Sequence, residues 1–196
     1  GGLQVTVQAA RGGDPPGYVM ATVGLVGTGA LFVGLDVATQ GSWKRIYGSA
    51  GWALAAAPPL IQQPAYLPPL KPILPSGFNS FGDPTAETRG LQKPPTFATR
   101  FADTWIDPNS ISLELDFFDF LPHRVAIYCV DWDTNNARAQ KVEILDTSQV
   151  PPFPLDTRNL TNFKAGQYLI WDLSGKVLLK ISKVSGTVVL NGIFFQ

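Results

Sequence analysis

The sequence has little charge, and its charges cancel. Charged residues make up 15% of the 196 residues, and fifteen basic side chains balance fifteen acidic ones. Soluble domains usually carry about 25% charged residues, so this chain offers no strong field to attract nucleic acid or an anionic membrane surface. A sparsely charged, neutral surface favours self-association or association with other surface proteins.

Cysteine and histidine each occur once. Cys129 alone cannot form an intrachain disulfide or a cysteine-built zinc site, and its apolar neighbours predict a buried, unreactive thiol. His123 follows Pro122 at the beginning of a predicted strand, where a surface or edge position is expected. Motifs typical of hydrolases, phosphate-binding loops and zinc proteases are also missing. The sequence therefore predicts a protein that is not an enzyme.

No segment has the composition of a membrane-spanning helix. Residues 18–35 carry no charge, but they contain four glycines and lack flanking basic residues. The Gly-Thr-Gly sequence at residues 27–29 divides this run into two strand-length pieces, which predicts a β-hairpin instead of membrane insertion. The chain begins Gly1-Gly2 without an initiator methionine, which favours a processed or fragmentary exported product. An extracellular or cell-surface location is therefore expected.

What the sequence does contain is turn formers and short alternating segments. It has 19 glycines and 17 prolines, and residues 110–117 alternate between apolar and polar side chains. The other strands predicted in the same way are residues 30–36, 123–131, 138–146, 166–173, 175–184 and 187–195. Short strands at this spacing predict an all-β, antiparallel β-sandwich of the jelly-roll type, formed by residues 18–196 as a single domain.

Two segments interrupt this pattern. Residues 3–9 alternate, with Leu3, Val5, Val7 and Ala9 on one face, and a linker rich in glycine and proline then follows as far as residue 17. A detached N-terminal strand is therefore predicted for residues 1–17. Seven prolines lie in residues 58–75. They predict a loop insertion over about residues 58–95, either a stiff segment lying on its own domain or a polyproline-type ligand.

Several separated motifs carry a resemblance to a known family. They lie at residues 40–48, 126–133, 138–140, 166–175 and 189–195. In this order they resemble a poorly named β-sandwich module of secreted bacterial proteins, which is similar to galactose-binding-like carbohydrate-binding modules. The resemblance covers about residues 31–196 and implies a β-sandwich, an extracellular setting and no assigned catalytic residues. The proline-rich insertion departs from the family pattern, which has a shorter loop there.

Aromatic side chains outside the regular strands suggest a glycan-binding surface. Those expected to be exposed are Trp43, Tyr47, Trp52, Tyr66 and Trp105. Trp132 and Trp171 lie in alternating strands or at their ends, so packing in the core is expected for them.

Separately, Asn159-Leu160-Thr161 is an N-glycosylation sequon, which has meaning only in a glycosylating secretory pathway.

Asp131, Asp133 and Asn135 place oxygen atoms at alternate positions, as calcium loops do. The segment lacks the glycine and the distal glutamate of an EF-hand, so a turn that caps two strands is the alternative. Arg138 is expected to pair with Asp131 or Asp133 across the hairpin and to fix the loop. No other cofactor is predicted.

Two functions from different classes remain open at this point. A tethered strand can complete the sheet of a neighbouring copy, which would make the chain a self-assembling filament or matrix subunit. The same strand could instead pair within its own sandwich or with a preceding domain. The alternative function is a carbohydrate-binding or adhesive module of a secreted multidomain protein. The structural subunit is preferred because the chain has the appearance of a processed product.

Overall fold

The computed structural model describes residues 4–7, 21–24 and 27–196. In this part of the chain every regular element is a β-strand, apart from one short 3-10 helix, η1 (Lys71–Ile73). The strands are β1 (Gln4–Val7), β2 (Ala21–Gly24), β3 (Gly29–Asp36), β4 (Gly51–Leu54), β5 (Leu60–Gln62), β6 (Phe78–Ser80), β7 (Leu91–Gln92), β8 (Arg100–Phe101), β9 (Asp103–Asp107), β10 (Ser110–Asp116), β11 (His123–Cys129), β12 (Ala139–Asp146), β13 (Phe153–Leu160), β14 (Gln167–Ser174), β15 (Lys176–Ser185), β16 (Val188–Leu190) and β17 (Gly192–Phe195). The all-β class predicted from the sequence is confirmed. No helix in these ranges has the length and apolarity to cross a membrane.

Two antiparallel sheets form the sandwich. One has six strands in the order β3-β14-β11-β17-β4-β5, and the other has four in the order β10-β15-β12-β13. The alternation in β10 shows how the core arises, because Ile111, Leu113 and Leu115 are buried while Ser112 and Glu114 are exposed. Separate smaller sheets are formed by three strands in the order β16-β9-β6 and by the pair β7-β8.

The central strands of the six-stranded sheet are buried on both faces. In β11, Val125 and Ile127 belong to the core between the sheets, whereas Ala126 and Tyr128 belong to a second apolar cluster. Aromatic side chains dominate that second cluster, which we call the outer aromatic layer: Trp43, Tyr47, Trp52, Phe101, Tyr128, Tyr168 and Phe194. Segments around residues 40–48 and 88–101 thus cover a sheet face that would otherwise be exposed to solvent.

The proline-rich insertion packs on its own domain. Leu67 and Leu70 are buried in the core between the sheets, and β5 forms the edge of the six-stranded sheet. The Gln63 amide nitrogen donates to the carbonyls of Pro64, Leu67 and Pro68, and its oxygen accepts from the Leu70 amide. One side chain therefore supplies hydrogen bonds that a proline-rich backbone cannot make for itself.

Several strand predictions need correction. The hairpin expected around residues 27–29 is wrong, because β2 pairs with β1 and β3 pairs with the eight-residue strand β14. The strand predicted over residues 187–195 is divided at Asn191, whose side chain accepts from the Val130 amide and donates to the Asp103 carbonyl. The loop predicted over about residues 58–95 contains the short strands β5, β6 and β7, and the strands β4, β8, β9 and β13 were not predicted.

The predicted N-terminal strand is partly described. Gln4–Val7, which includes Val5 and Val7, forms a two-stranded antiparallel sheet with β2. Within the described ranges neither strand is paired to the sandwich. Leu3 and Ala9 lie outside the described residues.

Candidate functional site

The exposure predicted for the five aromatic side chains of the glycan surface is wrong for four of them. Trp43, Tyr47, Trp52 and Trp105 are between 1% and 9% exposed. The first three belong to the outer aromatic layer, because the second face of the six-stranded sheet has to be covered, and Trp105 lies in β9 within the main core. These rings have no free face for a sugar.

The fifth predicted residue, Tyr66, is partly buried and contacts the only histidine. Its ring stacks on His123 with 3.5 Å between the ring centroids. The Nε2 atom of His123 is hydrogen-bonded to the Asp119 carboxylate at 2.8 Å. His123 lies at the beginning of β11, as predicted. Its ring is engaged on one face by Tyr66 and at Nε2 by Asp119, and in the described ranges no hydroxyl or thiol group is hydrogen-bonded to it.

Asp131 and Asp133 bind the guanidinium group of Arg138 in place of a metal ion. The Arg138 Nη1 atom lies 2.6 Å from Asp131 Oδ1 and also bonds Asp133. Asn135 uses its side-chain oxygen to accept from Lys164 Nζ at 3.0 Å. The three oxygen donors of the calcium hypothesis are thus engaged by cations of the protein, and the described ranges contain no group of three histidine, cysteine, aspartate or glutamate side chains that could hold a metal ion. The predicted Arg138 pairing is confirmed, and the calcium site stays a prediction.

Trp132 was expected in the core, but it is half-buried and lines a groove of about 610 Å³. The Arg89 guanidinium lies over its ring, 3.9 Å from the centroid. Arg89 is fixed there by Glu87 at 2.6 Å and by the carbonyls of Trp132 and Lys164, both at 3.1 Å. The opening thus has a stacked cation–aromatic pair among polar side chains. Trp171, in contrast, is fully buried, as predicted.

The outer aromatic layer positions the loops of this groove. The Tyr128 hydroxyl donates to the Arg89 carbonyl at 2.8 Å, and the Tyr168 hydroxyl donates to the Gln40 carbonyl at 2.6 Å. The two loops also touch directly, since a Cβ atom on Gly41 would lie 1.8 Å from the Gly90 carbonyl oxygen. Sequence reasoning missed the groove because its residues come from four distant segments, around residues 40, 87–89, 131–135 and 164–165. The sequence did contain one signal of the close contact between the two loops: a glycine follows Gln40, and another glycine follows Arg89.

The four edges of the two large sheets differ in their protection. β5 is followed by Gln63 and Pro64, β13 contains Pro154 and Arg158, and β10 carries Glu114 and Asp116. Charged side chains and prolines on an edge strand discourage pairing with another chain. Three of the four edges therefore carry such protection.

β3 is the exception. It has no lysine, arginine or proline, and its only charged residue, Asp36, is its last and accepts from the Tyr47 hydroxyl at 2.7 Å. Apolar side chains along and just after the strand are between 43% and 67% exposed: Leu31, Val33, Leu35 and Val37. A long apolar edge with these properties is typical of an association surface.

Cys129 and Asn159 differ in their exposure to solvent. Cys129 is fully buried, its Sγ atom accepts from Gln140 Nε2, and burial raises the pKa of its thiol to about 12. The prediction of an unreactive thiol is consistent with this position. Asn159 is exposed on the edge strand β13.

Comparison of the chain with protein-family models, with curated proteins and with solved structures gave no match. Two features of the molecule bear on its function. They are the edge strand β3, which has no lysine, arginine or proline, and the groove that contains Arg89 and Trp132.

Proposed function

We propose that this chain is a non-catalytic structural subunit, located outside the cell or on its surface, that self-associates by β-strand addition. The observation that carries the proposal is the edge of β3, whose outer side is paired with no strand in the part of the chain that the structure describes. Its backbone can pair with a strand from another copy, and its exposed apolar side chains would lose contact with water in the same step.

The occupant that fits this edge is the two-stranded sheet β1–β2 of a second copy. An isolated two-stranded sheet is at best marginally stable in water, so it gains by joining a larger one. The register between β3 and β14 shifts at Val33, which leaves Gly29–Phe32 as an uninterrupted stretch before the irregularity. β1 and β2 each have four residues, the same length as this stretch.

Head-to-tail addition of this kind does not close on itself unless the rotation between copies happens to form a ring. Each subunit would offer β1–β2 to one neighbour and β3 to the other, which is the geometry of an open filament. The neutral, sparsely charged surface adds little repulsion between copies.

The non-catalytic part of the proposal has its own support. His123 is stacked on Tyr66 and bonded to Asp119, and in the described ranges no hydroxyl or thiol group is hydrogen-bonded to its ring. Cys129 has a raised thiol pKa and no exposure. In the described ranges His123 therefore has no nucleophile to activate, and the Cys129 thiol has no base beside it.

Light scattering after size exclusion, over a wide range of protein concentration, tests the assembly. The full chain is expected to give multiples of its 21.2 kDa mass. Leu31→Lys places a charge on the edge of β3 and should return the protein to the monomeric mass, as should deletion of residues 1–10. Val184→Lys changes an equally exposed valine on β15 and should leave the assembly intact.

The two interventions separate the possible occupants. A monomer for Leu31→Lys together with an unchanged assembly for the deletion would mean that β3 pairs with another β3, and would overturn the role given to β1–β2. A full chain that stays monomeric at the highest concentration reached would overturn the whole proposal.

A further inference from the structure

The groove beside Trp132 has balanced charge. Its walls hold the carboxylates of Glu87, Asp131 and Asp133 and the cations of Arg89 and Lys164. Arg138 binds two of those carboxylates, so three negative and three positive groups meet there. A ligand with a net charge would gain little from such a site, whereas a neutral polar molecule would meet no opposing field.

The stacked pair of Arg89 and Trp132 gives the groove a flat surface. Both side chains line it, and hydrogen bonds to Glu87 and to two backbone carbonyls hold the guanidinium group in place over the ring. Within the described part of the chain no acceptor is bonded to Arg89 Nη2. The pair therefore combines a planar contact surface with hydrogen-bond donors that are still available.

Uncharged polar groups complete the lining. The Thr88 hydroxyl donates to Gln40 Oε1 at 2.7 Å, and Asn135 accepts from Lys164 at 3.0 Å. Each of these amides keeps an –NH₂ group that can donate to a ligand oxygen. Because Tyr128 and Tyr168 hold the loops from within, little ordering would accompany binding.

From these features we infer that the groove binds a neutral oligosaccharide. A sugar ring offers an apolar C–H face for the flat surface and hydroxyl groups for the amides, the hydroxyl and the free guanidinium donors. The groove's 610 Å³ lies within the roughly 300–1,000 Å³ range of small-molecule sites. This site is separate from the β3 edge, so the inference does not depend on the proposed assembly.

Tryptophan quenching makes the test specific. All five tryptophans lie in the described ranges, and the four other than Trp132 are 9% exposed or less. Acrylamide should therefore quench Trp132 selectively. Binding of cello-, xylo-, manno- or laminari-hexaose should protect that signal, and calorimetry should report a matching dissociation constant. A hexagalacturonate of the same length serves as the charged comparison and should not bind.

Variants assign the effect to the groove. Trp132→Ala should weaken binding about tenfold or more, and Trp132→Phe should weaken it less because an aromatic face remains. Thr88→Val removes one exposed hydroxyl without affecting the core and should also reduce affinity. Phe120→Ala, at an exposed aromatic residue outside the groove, should change nothing. The inference is overturned if no neutral hexasaccharide binds at about 1 mM, or if only the galacturonate does.

Discussion

Replacing Arg138 by methionine should destabilise the fold strongly. Its side chain is 5% exposed and that of Asp131 is fully buried, and their N–O distance is 2.6 Å. Methionine keeps most of the side-chain volume but leaves the Asp131 carboxylate with Thr134 as its remaining side-chain partner. Removing one member of a buried ion pair costs about 3–5 kcal/mol. For a chain of this size the melting temperature should fall by about 10 °C.

The pH dependence of the stability lost in Arg138→Met identifies the cause of that loss. Burial alone would raise the pKa of Asp131, but hydrogen bonds from Thr134 and Arg138 outweigh it and hold that pKa below its ordinary value. The ionised group therefore stabilises the wild type above the unfolded pKa of about 3.9, and this contribution disappears as the pH falls through the folded pKa. In Arg138→Met, burial dominates and the pKa of Asp131 rises. The variant should gain stability on acidification, so its free energy of unfolding should approach that of the wild type as the pH falls.

Urea unfolding followed by tryptophan fluorescence, extrapolated linearly to water at several pH values, measures this difference. Arg124→Met is the matched control, because Arg124 pairs with Asp172 through two hydrogen bonds but the side chains are 46% and 27% exposed. The control should lose only about 0–1 kcal/mol. Equal losses for the two variants, or a deficit for Arg138→Met that does not change with pH, would refute the reasoning.

Two further outcomes follow from burial and backbone geometry. Cys129, with its thiol pKa raised to about 12 by burial, should resist iodoacetamide in the native protein and react readily in urea, as followed by mass spectrometry; rapid native labelling would contradict its burial. Gly166 has a φ of +88°, and a Cβ atom there would lie 1.8 Å from the Tyr128 hydroxyl oxygen, so Gly166→Ala should cost about 3 kcal/mol in urea unfolding. Gly27→Ala meets no atom within 4 Å and should change stability by less than about 0.5 kcal/mol.

The strands that could be predicted well from the sequence are those with one buried face and one exposed face. Residues 110–117 alternate because one face of β10 packs in the core and the other is wet, and the observed strand is Ser110–Asp116. β13 escaped prediction because Pro151, Pro152 and Pro154 have the composition of a loop. Proline is nevertheless compatible with an edge strand, and β13 is one. Whether a strand lies at an edge depends on tertiary pairing, which local composition does not contain.

The location of the aromatic side chains shows the same limit. Trp43 and Trp52 were expected to be exposed because their segments lack a clear period, yet they cover the outer face of the six-stranded sheet. A usable signal was present in residues 125–130, whose unbroken apolar run is typical of a strand buried on both sides. Such a strand requires a second covering layer, but the sequence does not say which segment provides it.

The position of β17 has a consequence for how the protein can be made. This strand, Gly192–Phe195, lies between β11 and β4, so it alone joins β3-β14-β11 to β4-β5. During synthesis those two groups of strands must wait, with apolar surface exposed, until residues 192–195 have left the ribosome. Folding of this sheet should therefore be slow and should depend on the arrival of β17. A shortened product that ends before β17 should be a substrate for chaperones and proteases and should not form a smaller stable domain.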